Sequence, residues 1–507
     1  MKKNNEKQND AVRASGAVNA AAADGKRRGW RELSRREQLV LMLKLAAVLV
    51  AVGAFVKVYL TDVISGAYKL YELIAPALTL TVFTFVFILI VPKLVEALFG
   101  EKESGLLKPD ELDEPKNKRR DFFIVCGAAL AMHIVFGILG ALIFKQVDSY
   151  GAAQAQKGFY ELWRASWMKG NTDAGHYLKI AEHWYLKEGI TIPGDPKPYL
   201  LIVFFPMLPV MIAGIDAVIH NAFVSAQIIN AAATSLAAGM CYLTLLPLMG
   251  GRRARAGAFI ALLLPGMVLM NSPMSEPLFL LFTVTAFYFI GKKSFLLAGL
   301  FTALAGFTRS LGVLTAVPLA IVGIGHIVSL IREKKPWAKA AALLALALVI
   351  STLGTLGYLY INYSIHGDAL KFFEYQWSNW YQKATPFFDT PRYMVDYFAD
   401  AIPKHIDKAI SLWGMGTFSV LASFVIVRGA EKRLPSYYTV YFLAYFAVAI
   451  GCSWLLSATR YLSAAFPVTA GLALTCEKKR NIAIVFTVLV LLYIGYMFMY
   501  MKRWDIY

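Results

Sequence analysis

Apolar runs of about twenty residues recur along the chain, separated by short polar clusters, and a run of that length crosses a bilayer as one helix. The first two runs, 39–60 and 71–97, are followed by a charged linker and a third run at 122–144. A polar, acid-bearing stretch comes next, and the apolar pattern resumes at 200–218 and 223–248. From there to the end, hydrophobic segments alternate with basic clusters, which predicts crossings in pairs. The pattern predicts an all-α polytopic membrane protein with thirteen or fourteen transmembrane helices. One run is irregular: 200–218 contains Phe204-Phe205-Pro206-Met207-Leu208-Pro209, and proline interrupts a helix ladder. If it and 223–248 both crossed fully, Arg252 would change sides, so a broken or partly re-entrant helix is expected there.

Charge sharpens the topology. The chain of 507 residues is 58% apolar, only 17% charged, and carries a net charge of +18. Nucleic acid is not the reading, because the cations sit between apolar runs: Arg252-Arg253 with Arg255, Lys292-Lys293, Arg332 with Lys334-Lys335, Arg428 to Arg433, and Lys478 to Arg480. The positive-inside rule places such clusters in the cytoplasm. Residues 1–38 read as a disordered basic cytoplasmic tail. Residues 39–121 hold two additional N-terminal helices and a cytoplasmic linker, with a partner membrane protein as their expected contact. Residues 122–475 form the main membrane domain, and 476–507 the last helix with a short outward C-terminus. The expected location is the cell membrane, multi-pass, with the N-terminus inside. The four cysteines lie in apolar runs without ligand spacing, so neither a disulfide framework nor a zinc site is indicated.

Counting crossings puts two long loops, 146–200 and 363–406, on the outer face, where they read as lids on the bundle with amphipathic helices in the first. That loop contains the polar stretch 170–185, centred on Asp173. After Asp173, Tyr177, Ile180, Ala181 and Trp184 recur at helical spacing on one face. Asp173 fits two roles, a helix N-cap or a reactive carboxylate. The same count brings His176, Ser275-Glu276, Arg309, the Asp368 to Trp380 segment and Arg460-Tyr461 to the outer side. Charges at lipid depth are costly and usually functional or paired, so one-sided clustering indicates a single cavity. Capping by Ser275, snorkelling by the two arginines and an interfacial belt of Trp377, Trp380 and Tyr381 are the structural alternatives.

Six segments, in order, resemble the glycosylphosphatidylinositol mannosyltransferase II family and its bacterial relatives. They are Thr172 to Ala181, Phe204 to Pro209, Ser272 to Phe279, Thr308 to Val313, Gly367 to Gln376 with Trp380, and Arg460 to Pro467. The resemblance implies a GT-C glycosyltransferase fold and inverting transfer of a hexose, mannose in the family, from a polyprenyl-phosphate sugar. The acceptor would be a glycolipid, glycan or protein outside the cytoplasm. It also implies Asp173 as general base, and His176, Tyr177, Glu276, Arg309, Asp368, Gln376, Trp380, Arg460 and Tyr461 as substrate-binding residues. The family commonly has Trp before this Asp; Thr172 stands there in this chain. No motif obliges a metal ion or an organic cofactor, and dependence on a divalent metal stays open.

Two readings from other classes compete. A transporter or flippase for a lipid-linked sugar or related anionic lipid would share the many spans and buried charges, but commonly shows repeated halves with matching broken helices. Only one irregular run is visible here. A non-enzymatic assembly factor would need no chemistry at Asp173.

Overall fold

The computed structural model describes residues 30, 33–58, 106–107, 112–169, 172–382, 389–451 and 455–506. The expected span 71–97, most of the basic tail, Gly170, Asn171 and Cys452 lie outside them. The described residues form helices and no strand beyond an isolated bridge between Ile192 and Asp195. This is the all-α multi-pass architecture that the apolar pattern predicts.

In chain order, α1 (Arg35–Val58) precedes α2 (Lys118–Val147), α3 (Ser149–Lys157), α4 (Phe159–Trp167) and α5 (Ala174–His183). A 3-10 helix, Pro198–Val203, leads into α6 (Met207–Ile219) and α7 (Ala222–Leu263). A second 3-10 helix, Pro265–Asn271, precedes α8 (Glu276–Gly291) and α9 (Phe295–Thr308). A third, Ser310–Thr315, opens into α10 (Ala316–Arg332), followed by α11 (Ala338–His366), α12 (Lys371–Trp380) and α13 (Asp389–Lys404). A π-helical segment, Ala409–Gly414, continues into α14 (Met415–Ala430), then α15 (Ser436–Ile450), α16 (Ala458–Ser463), α17 (Phe466–Thr475) and α18 (Lys479–Met501).

Six of the described helices are long and apolar enough to cross a membrane, or seven if the bent pair Pro265–Asn271 and Glu276–Gly291 counts as one span. Thirteen or fourteen crossings were expected. Part of the difference is the run 71–97, which lies outside the described residues, and part is α6, α9, α15 and α17, apolar helices of 10–17 residues. The irregular run at 200–218 resolves in the same way: a 3-10 turn and the 13-residue α6, too short to cross.

Local chemistry explains the breaks. Asn117 and Asn221 cap α2 and α7, each side chain accepting from a backbone N–H three residues on. Inside α7, Gly250 adopts φ +79°, a left-handed geometry that favours glycine, and kinks the helix where its Cα faces Asp113. Helices α9 and α11 approach closely because Gly299 faces the Ala347 carbonyl and Gly354 faces the Ala303 carbonyl, leaving no space for a side chain.

The basic clusters share one end of the bundle. Arg255 pairs with Asp121 at 2.7 Å, and Glu477 pairs with Arg433 at 2.5 Å and Arg253 at 3.3 Å. The backbone N–H of Arg252 donates to Asp113. Lys293 lies 3.3 Å from His326. Helix α8 ends beside this region, so its first residue, Glu276, is about 24 Å away at a rise of 1.5 Å per residue.

Candidate active site

Four charged side chains from four separate elements converge at the far end of α8. Asp173 stands at the start of α5, Glu276 opens α8, Arg309 follows α9 and Arg460 lies in α16. Arg460 donates from Nη1 to Asp173 Oδ2 at 2.7 Å and holds its Nε 3.1 Å from Glu276 Oε1. Arg309 Nη1 pairs with that same Glu276 oxygen and donates to Ser275 Oγ at 3.0 Å. Tyr177 Oη completes the set, 2.9 Å from Ser275 Oγ. Glu276 is 1% exposed and the Arg460 side chain 4%, whereas the Asp173 side chain is 25% exposed. The cluster is a buried, self-neutralising pair of ion pairs with one carboxylate at its open edge.

The sequence builds each position for a local reason. Pro277 sits in the first turn of α8, where no backbone donor is missed, and Glu276 beside it suits the positive end of the helix dipole. Arg309 is extended, with φ −156°, between α9 and the 3-10 helix, which turns its guanidinium back across the bundle. Arg460 is brought in by Gly266. A Cβ on Gly266 would lie 2.5 Å from the Thr459 carbonyl oxygen and 2.7 Å from Arg460 Cα, so only glycine allows α16 this close. The Gly266 N–H also donates to Ser463 Oγ at 3.0 Å. Tyr461 lies under both guanidinium groups, with ring centroids 5.1 Å from Arg309 and 5.4 Å from Arg460, a cation–π arrangement.

An aromatic wall flanks Asp173. His176 stacks on Phe204 at 4.8 Å, Tyr177 meets the same ring edge-on at 5.6 Å, and Trp380 of α12 does so at 5.8 Å. Behind it, Tyr185 donates to the Phe204 carbonyl at 2.6 Å, and Tyr375 donates to Glu188. These contacts tie the second loop to the first.

Electrostatics keep the open carboxylate charged. Burial raises the Asp173 carboxyl, but the Arg460 guanidinium outweighs it and holds the group below the ordinary carboxylate range. Burial pulls the His176 imidazole down despite the attraction of Asp173. Four residues before Asp173, Lys169 is buried and donates to the Trp504 carbonyl, and burial brings its amine down to about 8.

Asp173 occupies the N-cap position of α5 but its side chain makes no capping hydrogen bond, and Ser275 likewise caps nothing with its hydroxyl. The arginines do not snorkel; they are buried against carboxylates. Trp377 and Tyr381 are exposed, as in an interfacial belt, whereas Trp380 is turned to Phe204. Trp184 departs from the expected buried face, because α5 ends at His183 and Trp184 adopts φ 60°, exposed.

Of the residues singled out in the sequence, the structure brings together Asp173, His176, Tyr177, Glu276, Arg309, Arg460 and Tyr461, with Trp380 on the flanking wall. Asp368 instead accepts from the Leu370 N–H at 2.8 Å in a turn, and Gln376 donates to Gln382 at 2.6 Å. Sequence reasoning passed over Gly266, Ser457 and Lys169. Ser457 Oγ accepts from Arg460 Nη2 at 3.1 Å, a partner three residues away that only the fold reveals. Lys169 could have been flagged as a cation close to Asp173 in the polar loop. Among the described residues no group of three or more His, Cys, Asp or Glu is arranged to hold a metal ion.

The chain matches no protein-family model and no curated protein. Among solved structures it is similar to the oligosaccharyltransferase of Archaeoglobus fulgidus in the apo form, with 12% identity and a TM-score of 0.38 over 74% of this chain and 56% of that one. It is also similar to the archaeal oligosaccharyltransferase AglB from Archaeoglobus fulgidus in complex with an inhibitory peptide and a dolichol-phosphate, with 11% identity and a TM-score of 0.36 over 74% of this chain and 56% of that one. The chain thus spans little more than half the length of the structures it matches.

Proposed function

We propose that this protein is an inverting membrane glycosyltransferase of the GT-C type. It would transfer a hexose, mannose by the sequence resemblance, from a polyprenyl-phosphate donor to an extracytoplasmic hydroxyl acceptor. The observation that carries the reading is the partly exposed Asp173 carboxylate, set over the buried Glu276, Arg309 and Arg460 at the end opposite the basic clusters. That arrangement offers an oxygen acceptor for a proton and two guanidinium forks suited to a phosphodiester.

In the proposed reaction the acceptor oxygen attacks the anomeric carbon from the face opposite the phosphate. The new C–O bond forms as the bond from the anomeric carbon to the phosphate oxygen breaks. The hydroxyl proton passes to Asp173, and the lipid phosphate leaves with the bonding electron pair, its added negative charge stabilised by Arg309 and Arg460. A second acid for the leaving group is unnecessary, because phosphate departs as an anion. Glu276 orients both arginines, and the wall of His176, Tyr177, Phe204 and Trp380 borders the sugar and acceptor. Residues 39–121 serve a partner membrane protein in this reading, and 122–475 the catalysis.

The test uses the purified full chain in lipid nanodiscs with labelled polyprenyl-phosphate mannose and candidate glycolipid, glycan and peptide acceptors. Transfer by the wild type and loss of at least about a hundredfold in Asp173→Asn are expected, at the low end of what a general base contributes. Equal transfer by both would remove Asp173 as the base. Absence of transfer from any lipid-linked donor, with protein-dependent movement of the lipid between leaflets, would replace the enzyme by the flippase. Cysteine labelling at 172–176 from the cytoplasmic side alone would overturn the proposed orientation.

A further inference from the structure

Arg460 faces two carboxylates at once, and this double engagement implies a coupling between donor and base. Its Nη1 is committed to Asp173 at 2.7 Å and its Nε lies 3.1 Å from Glu276, while Arg309 also pairs with Glu276. Two guanidinium groups therefore serve two carboxylates, with formal charges that cancel. Lys169 and Lys179 are engaged elsewhere, with the Trp504 carbonyl and with Asp195 at 2.8 Å. An anionic phosphate entering this cluster makes a third claimant on two arginines.

The claimants are unequal. Glu276 is fully buried, holds both arginines and has no access to water, so separating it from both would leave a bare charge in the bundle. Asp173 is the exposed partner, so it can regain hydration on losing Arg460. We infer that Arg460 masks Asp173 until the donor phosphate draws the guanidinium away, so that the donor binds first and its phosphate frees the base that activates the acceptor. The inference rests on the proposed transferase reading and specifies the order in which that site works.

Charge balances through the step. The two arginines, Glu276, Asp173 and a monoanionic phosphodiester carry a net charge of −1. After transfer, Asp173 holds the acceptor proton and is neutral, the lipid phosphate is a dianion, and the sum is still −1. The groups facing Asp173 are Arg460 from α16, His176 from its own helix and Arg309 from the end of α9. Withdrawal of Arg460 removes the largest of these attractions, so the proton affinity of the Asp173 carboxylate rises and it becomes a stronger base.

The experiment reads protonation of Asp173 by its reaction with dicyclohexylcarbodiimide, which attacks protonated carboxyls, followed by peptide mass spectrometry. Full-length protein in nanodiscs is measured with polyprenyl monophosphate, with neutral polyprenol and with neither lipid, and retention of each lipid is measured in parallel. Labelling of Asp173 is expected to rise with polyprenyl monophosphate alone, about tenfold for each unit by which its pKa rises. Glu276, still held by Arg309, is the internal reference and should stay unlabelled. Arg460→Gln is expected to label strongly at Asp173 without lipid, and Arg460→Lys should restore part of the protection if the glutamine variant folds poorly. Retention of polyprenyl monophosphate with unchanged Asp173 labelling would overturn the coupling while leaving the transferase reading intact. Failure to retain the phosphate lipid, together with no transfer, would overturn both.

Discussion

Arg460 and Asp173 are 287 positions apart in sequence and meet at 2.7 Å, so the last third of the chain supplies the cation for a carboxylate far upstream. The pair makes the candidate site a property of the completed bundle. Several consequences of this arrangement can be measured.

Glu276→Gln should destabilise the protein more than Asp173→Asn. The glutamate is fully buried and shared by two arginines, so its neutralisation leaves two guanidinium groups with one carboxylate. Breaking a buried ion pair on one side costs about 3–5 kcal/mol. Asp173 is partly exposed, and water replaces some of what is lost. Thermal unfolding of the two variants in the same detergent should rank them in that order.

Gly266→Ala should damage the site without touching a charge. The new methyl would meet the Thr459 carbonyl oxygen at 2.5 Å and Arg460 Cα at 2.7 Å, and backbone atoms cannot rotate away. Overpacking of this kind costs about 1–3 kcal/mol and would push α16 outward. A lower unfolding temperature with loss of transfer is expected, and unchanged transfer would show that α16 tolerates the shift.

Acid should weaken the fold partly through Asp173. Its carboxyl is held below its unfolded value, so the stabilisation is fully present above the unfolded carboxylate value of about 3.9. It is lost as pH falls through the folded value. Unfolding temperatures of wild type and Asp173→Asn, followed from pH 7 to 3, should converge at the acid end.

Lys169 gives a slope of the same sign on the alkaline side. Burial lowers its folded value to about 8, against about 10.4 for an unfolded lysine, so the unfolded chain binds the proton more tightly in between. Its contribution to stability should therefore rise with pH across that window. The difference in unfolding temperature between wild type and Lys169→Met, measured from pH 7 to 9.5, should grow in favour of the wild type.

Much of this site was legible before the fold. The count of basic clusters placed Asp173, Glu276, Arg309 and Arg460 on one side, and the structure joins them. Helices that run the length of the bundle carried that signal, because a charge at an apolar boundary is rare and conspicuous. Asp368 and Gln376 attract notice as polar residues in a loop, and such residues also satisfy their own turn and helix, as these do through Leu370 and Gln382. Hydropathy measures composition, so it did not reveal that α6, α9, α15 and α17 are helices of only 10–17 residues. Gly266 left no trace in periodicity, since its role is the space it leaves for a segment nearly 200 positions away.

Short helices also change what surrounding lipid must do. Helix α9 has only 14 residues, a rise of about 21 Å, and it presents Leu296, Leu297 and Leu300 outward. A hydrocarbon core is about 30 Å thick, so the bilayer beside α9 is thicker than the apolar wall it meets. Local thinning of the bilayer relieves that mismatch and lowers head groups toward the end of α9, where Arg309 follows. A lipid phosphate approaching along this flank would have several ångströms less hydrocarbon to cross. On the proposed transferase reading, membrane thickness itself becomes a variable of the reaction.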